Sequence, residues 1–132
     1  KIIHNKFKLK IELGVLDVTF YRDDFRKNSI SPVVGPSKIP FVVEQSNIII
    51  VDDVLFTGRT IRAAMDEIFT FGRPNKIQLC VFADRGHREL PIRPDYIGKN
   101  MPTSTNEHIH VHLSEIDKID QVVLLKYKSN NE

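Results

Sequence analysis

Residues 47–83 read NIIIVDDVLFTGRTIRAAMDEIFTFGRPNKIQLCVFA, and the periodicity of this stretch decides the fold. Behind Asn47 comes a short, wholly apolar run to Val51, as expected of a parallel strand buried on both faces. Ile61, Ala64, Met65, Ile68 and Phe69 then fall at i, i+3, i+4, i+7 and i+8, one apolar stripe on an amphipathic helix. Gly72 and Pro74 supply its stop signal. Ile77–Ala83 is a second buried strand. Strand, helix and strand joined at this spacing predict a right-handed parallel crossover, so the fold class is α/β.

Outward from this unit the pattern is less regular. Val15–Tyr21 is β-branched, apolar and aromatic and reads as a strand. Arg22–Lys38, rich in charge, Ser, Pro and Gly, reads as a long mobile loop, of a length that is usually functional in a compact domain. Asp84–Thr105 is a stretch punctuated by Pro and Gly. Ile109–Leu113 and Gln121–Tyr127 are the last strand candidates. Near the start, Lys6, Lys8 and Lys10 alternate with Phe7, Leu9 and Ile11, as in an edge strand or the remnant of a helix with solvated charges.

With 132 residues and no repeats, the chain suits one compact domain. No apolar run approaches the roughly 20 residues that cross a bilayer. No signal-peptide pattern follows the basic start. The lone Cys80 has no intrachain partner, and a reducing, cytoplasmic location is the simplest expectation. Nineteen basic against 17 acidic residues leave a net charge of +2, too balanced to argue for nucleic-acid binding without local clustering.

Ligands of such sheets bind beyond the carboxyl ends of the strands. There the chain places Asp52 and Asp53, expected at the strand end, and then Thr57–Gly58–Arg59–Thr60 at the helix start. Unpaired first-turn amides and the positive end of the helix dipole favour an anion at that start. Gly58 allows close backbone approach, and the hydroxyls of Thr57 and Thr60 can donate to phosphate oxygens. A monophosphate suits the short turn; the patterns GxxxxGK[ST] and GxGxxG are both missing. Two adjacent carboxylates repel each other and call for partners such as the vicinal hydroxyls of a sugar, with a hard cation nearby. The plainer alternative has Asp53 capping a turn and Asp52 facing water.

IIIVDDVLFTGRT at 48–60 resembles the phosphoribosyl pyrophosphate signature of class I phosphoribosyltransferases. VTFYRDD at 18–24 and, above all, DRGHRELPIRPDYIGKNMPT at 84–103 narrow the likeness. From about Leu16 to the end the chain is similar to the family of bifunctional pyrimidine operon attenuation regulators and uracil phosphoribosyltransferases. That resemblance implies the type I phosphoribosyltransferase fold: a Rossmann-like parallel sheet with antiparallel strands at the C-terminal end. It also implies the reaction of uracil with phosphoribosyl pyrophosphate to give UMP and pyrophosphate. Mg²⁺ would arrive with the substrate near Asp52 and Asp53, with no metal ligand supplied by the protein alone. Carried onto this chain, Asp52 and Asp53 hold the ribose hydroxyls and are the catalytic acids. Val54, Leu55, Thr57, Gly58, Arg59 and Thr60 line the phosphoribosyl group. Arg22 is a candidate near the pyrophosphate and Arg85 near the base, and Phe25–Lys38 becomes a lid that keeps water from a reactive sugar.

Family members carry, ahead of the matched region, another strand ending in a pyrophosphate-binding loop, and nothing before Leu16 resembles it. The chain also opens on Lys1. The expectation is a single domain over 1–132, shortened at its amino end, for which catalysis by this chain alone is not implied. Relatives associate as dimers or larger assemblies, so a homo-oligomer is expected.

The family's second role is UMP-dependent binding to the leader of the pyrimidine operon messenger RNA. His87, Arg88, Arg93 and Lys99 match its basic positions. Between Asp84 and Lys99 four Lys/Arg stand against three acids, so charge alone is equally explained by a solvated loop with local ion pairs. Tyr96 could stack on a base or pack against Pro94 or Met101. A non-catalytic RNA-binding regulator that senses UMP remains an alternative, as does a transferase for another base, against which the 84–103 block argues. His108, His110 and His112 share one strand face, which a half-exposed strand explains more simply than a metal site does.

Overall fold

The computed structural model describes residues 2–18 and 36–126, and the predicted central unit is present with extended boundaries. After a short helix α1 (Ile2–Phe7) come β1 (Asn47–Leu55), α2 (Arg59–Phe71), β2 (Lys76–Asp84), β3 (Tyr96–Asn100), β4 (Glu107–His112), α3 (Ser114–Asp117) and β5 (Gln121–Lys126). β1, β2 and β3 form a parallel sheet in that order, while β4 and β5 pair as an antiparallel ribbon. The α/β class and the antiparallel strands at the C-terminal end are both as read from the sequence.

Helix α2 lays Ile61, Ala64 and Ile68 on Ile50, Leu79 and Val81, and Val43 and Leu55 complete this core. Phe69, the last residue of the predicted stripe, is exposed, because at 3.6 residues per turn it lies about 80° around the helix from Ile61. Only one face of β1 is covered. Ile49 and Val51, on the other face, are 52% and 75% exposed, so the expected burial of both faces does not hold within the described residues. The β1–β2 ladder runs on past Val51 through Val54↔Ala83 and Leu55↔Asp84. Asp52 and Asp53 therefore lie inside β1 rather than beyond its end.

Two further expectations are corrected. The stretch after Asp84 contains β3, held beside β2 by Asp95, whose amide donates to the Leu79 carbonyl and whose carboxylate accepts from the Leu79 amide. All five residues of β3 are exposed, and Gly98 sits so close to β2 that a Cβ there would stand 2.5 Å from the Phe82 carbonyl oxygen. In the predicted Val15–Tyr21 strand, Val15 makes only an isolated antiparallel bridge to Lys38 and Leu16–Val18 are not in a strand. Residues 19–21 lie outside the described residues, as do Arg22 and most of the predicted lid. The lysine-bearing start resolves as a helix remnant that ends at Phe7. No helix among the described residues is long and apolar enough to cross a membrane.

Candidate functional site

β1 delivers its chain to a turn of three residues, Phe56, Thr57 and Gly58, after which α2 begins. Gly58 has φ +92°, a left-handed conformation that a Cβ would strain. A left-handed residue followed directly by helical ones lets successive amides converge on one point, and the first-turn amides of α2 have no intrahelical acceptor. The Thr57 side chain is 5% exposed, and its Oγ1 accepts from the Arg59 amide at 3.3 Å. Thr60 is half-buried in the first turn and Arg59 is exposed. The predicted phosphate cradle is therefore a defined turn at a helix start.

Asp52 and Asp53 precede it on β1. Successive strand residues face opposite sides, so the two acids straddle the strand, Asp52 half-buried and Asp53 exposed. Each carboxylate accepts from the next amide, Asp52 Oδ1 from Asp53 at 2.9 Å and Asp53 Oδ1 from Val54 at 2.8 Å. This short-range bonding orients the two side chains. Val54 is half-buried and Leu55 is in the core.

The Asp84–Leu90 segment is strapped across the back of the turn. The Arg85 amide donates to the Leu55 carbonyl, and the amides of Glu89 and Leu90 both donate to the Thr57 carbonyl. Arg88 reaches the remaining carbonyl, Phe56, at 2.7 Å, and with its other nitrogen meets Asp84 Oδ2 at 2.6 Å. Glu89 adds an exposed ion pair to Arg59 at 3.2 Å. Asp84, Phe56 and Glu89 thus shape the site without having been singled out in the sequence. The four-residue spacing of Asp84 and Arg88 hinted at a pair; the contact to Phe56, 32 positions away, left no local signal.

The basic candidates divide. Arg85 is 4% exposed, with its guanidinium 4.0 Å above the Phe56 ring and its donors on Thr103 Oγ1 and the carbonyls of Ser104 and Glu107. His87 is exposed at φ +63°, its ring edge-on to Phe56 and its Nε2 against the Thr103 carbonyl. Arg93 and Lys99 are exposed. The Tyr96 hydroxyl accepts from Gln78 Nε2 at 3.2 Å. Of the strand histidines, His112 faces Asp117 at 3.5 Å, an acid the sequence pattern did not connect to it. No three His, Cys, Asp or Glu side chains converge as a metal site among the described residues.

The chain is similar to known proteins. The family model described as the phosphoribosyl transferase domain matches residues 1–116, so the match begins ahead of Leu16, where the motif likeness starts. The bifunctional protein PyrR of Pelotomaculum thermopropionicum is 53% identical over 116 residues, 88% of this chain and 64% of that protein. Its counterpart in Bacillus cereus is 56% identical over 115 residues, 86% of this chain and 64% of that protein. This chain thus spans just under two thirds of the length of these curated relatives. In structure, the hypoxanthine phosphoribosyltransferase of Trypanosoma cruzi aligns with a TM-score of 0.54 at 23% identity, covering 75% of this chain and 58% of that one, a likeness of fold. Acids on β1 followed by a glycine-bearing turn at a helix start, in a chain that the family model matches from residue 1 to residue 116, leave one assignment: this chain belongs to the phosphoribosyl transferase domain family.

Proposed function

We propose that this chain carries the phosphoribosyl-binding part of a uracil phosphoribosyltransferase, which joins uracil to phosphoribosyl pyrophosphate and releases UMP and pyrophosphate. The observation that carries the reading is the β1–turn–α2 unit, with carboxylates on the strand and converging amides at the left-handed Gly58. The 5′-phosphate would sit on the turn, bound by backbone amides and by the hydroxyls of Thr57 and Thr60, with Arg59 at its rim. Asp53, the open carboxylate, and Asp52 would take the ribose hydroxyls. As the bond from the anomeric carbon to pyrophosphate lengthens, positive charge develops on the ribose, and two nearby carboxylates stabilise it electrostatically. Hard oxygen donors on Asp52 and Asp53 also suit Mg²⁺ held through the substrate, which would neutralise charge on the departing pyrophosphate.

The choice of uracil and the second role, UMP-dependent binding to the pyrimidine operon messenger RNA leader, rest on the 84–103 block and on the relatives' bifunctional description. Exposure of His87, Arg93 and Lys99 along that block favours a role in RNA contact. A regulator that senses UMP without turnover is the second reading. Uracil-dependent pyrophosphate release by the full-length protein separates the two. Release that drops at least about a hundredfold in Asp52→Asn/Asp53→Asn supports the enzyme reading, in line with the loss of electrostatic stabilisers elsewhere. No release by the unmodified full-length protein removes the enzyme reading, and full activity in the double variant removes the roles given to the two acids.

A further inference from the structure

Among the four positions that resemble the family's RNA contacts, Arg88 is built differently. Its side chain is 24% exposed and its partner Asp84 is 13% exposed. The guanidinium bridges Asp84 Oδ2 at 2.6 Å and the Phe56 carbonyl at 2.7 Å. Asp84 is itself fixed, at the end of β2, with Oδ1 accepting from the Gly86 amide at 3.0 Å. A guanidinium with its planar fork divided between two acceptors is held more firmly than any single contact would hold it.

The consequence follows from the rigidity of the peptide. In a planar trans unit the carbonyl and the next N–H point in opposite directions. Arg88 draws the Phe56 carbonyl toward the strap, which turns the Thr57 N–H away from it. Glu89 and Leu90 draw the Thr57 carbonyl the same way, which turns the Gly58 N–H to the front. The strap therefore sets the direction of the amides on which the anion turn depends.

We infer that Arg88 is a positioning residue for the phosphate-binding turn, acting through the Phe56–Thr57 peptide, and not a direct RNA contact. The inference rests on the nucleotide-binding reading above and adds to it how the turn is held. Its physical content is a dependence on the fork: a lysine keeps the charge but cannot span both acceptors.

The test uses the full-length protein with Arg88→Lys, Arg88→Ala and Asp84→Asn. UMP affinity is measured by calorimetry and the kinetics with phosphoribosyl pyrophosphate, and RNA is titrated over a salt series at saturating UMP. Loss of a charge-assisted bond predicts UMP affinity lower by on the order of tenfold in all three variants. KM for phosphoribosyl pyrophosphate rises by a similar factor with kcat nearly unchanged, as for lost uniform binding of the phosphate. The slope of log K against log salt stays at the wild-type value, whereas removing one phosphate contact would lower it by roughly 0.7. Should Arg88→Ala fail to fold, Arg88→Lys carries the test, because an RNA contact would tolerate it and the strut would not. Unchanged UMP affinity and KM in Arg88→Lys, or a reduced salt slope in Arg88→Ala, overturns the inference alone. A wild-type protein that binds neither UMP nor phosphoribosyl pyrophosphate overturns the nucleotide reading and the inference with it.

Discussion

The segment from Asp84 to Asn100 carries its positive charges in two halves that the fold treats oppositely. In the inward half, Arg85 is 4% exposed and Arg88 is wedged between Asp84 and the Phe56 carbonyl. In the outward half, Arg93 and Lys99 stand in solvent. The boundary lies near Ile92, which packs against the core cluster and lies over Gly58. As sequence, each half presents two basic residues, three positions apart in the first and six in the second, with nothing local to mark which are buried. What separates them is whether acceptors lie within reach: Thr103, Ser104 and Glu107 for Arg85, and Asp84 with the Phe56 carbonyl for Arg88. A buried cation persists only with such partners.

The largest effect is expected from Arg85→Ala. That change removes a guanidinium over the Phe56 ring and leaves the Ser104 and Glu107 carbonyls without this donor. Hydrogen bonds to a charged group contribute about 1.5–3 kcal/mol, and Arg85 is 4% exposed, so a loss of roughly 3 kcal/mol is expected. It should show as a lower urea midpoint with an unchanged slope. A shift below about 0.5 kcal/mol, the range of ordinary surface positions, would place Arg85 with Arg93 and break the comparison.

Gly58→Ala tests the seam between the turn and the strap. An added Cβ would meet Ile92 and Leu90 at 3.4–3.5 Å, ordinary contact, so space is not the obstacle. The cost comes from φ +92° and should be about 1–2 kcal/mol. UMP affinity should fall with it, since a turn that relaxes to negative φ no longer aims its amides together. Stability that stays at the wild-type value, measured by thermal unfolding, would show that the turn does not need the left-handed residue.

The same comparison shows what was legible beforehand. The β1–α2–β2 unit declared itself because apolar runs and a 3.6-residue stripe are local, and the core they form is the one observed. β3 did not, because Tyr-Ile-Gly-Lys-Asn has no alternation; its place depends on Asp95 gripping Leu79 and on Gly98 fitting beneath Phe82. Val15–Val18 erred in the other direction. Its β propensity is high, yet propensity in strands mostly reports packing against neighbours, and among the described residues Val15 makes an isolated bridge to Lys38. In the site, the turn at the start of α2 was readable from Thr57–Thr60. The straddling of β1 by Asp52 and Asp53 was not, since it follows from how far the ladder with β2 continues. The family came from motif likeness, and likeness of motif placed Arg88 with Arg93 and Lys99 where the fold parts them.

The smallest effects on stability are expected where charges are in water. Arg93→Ala and Lys99→Ala should each leave stability within about 0.5 kcal/mol. Glu89→Gln, which breaks an ion pair with Arg59 whose side chains are 55% and 50% exposed, should cost no more than about 0.5 kcal/mol. That pair is the instructive one. Glu89 holds the turn twice, through its amide on the Thr57 carbonyl and through its carboxylate on Arg59. Glutamine keeps the backbone bond and removes the charge. If the backbone strap fixes the turn, Glu89→Gln leaves UMP affinity unchanged or slightly improved, because Arg59 is released toward the phosphate. A UMP affinity that instead falls with Glu89→Gln, by a margin against the unmodified protein that widens as salt is lowered, would mean that the turn is held by side-chain charge at its rim, and the inward half of the segment would then owe its position to Arg59.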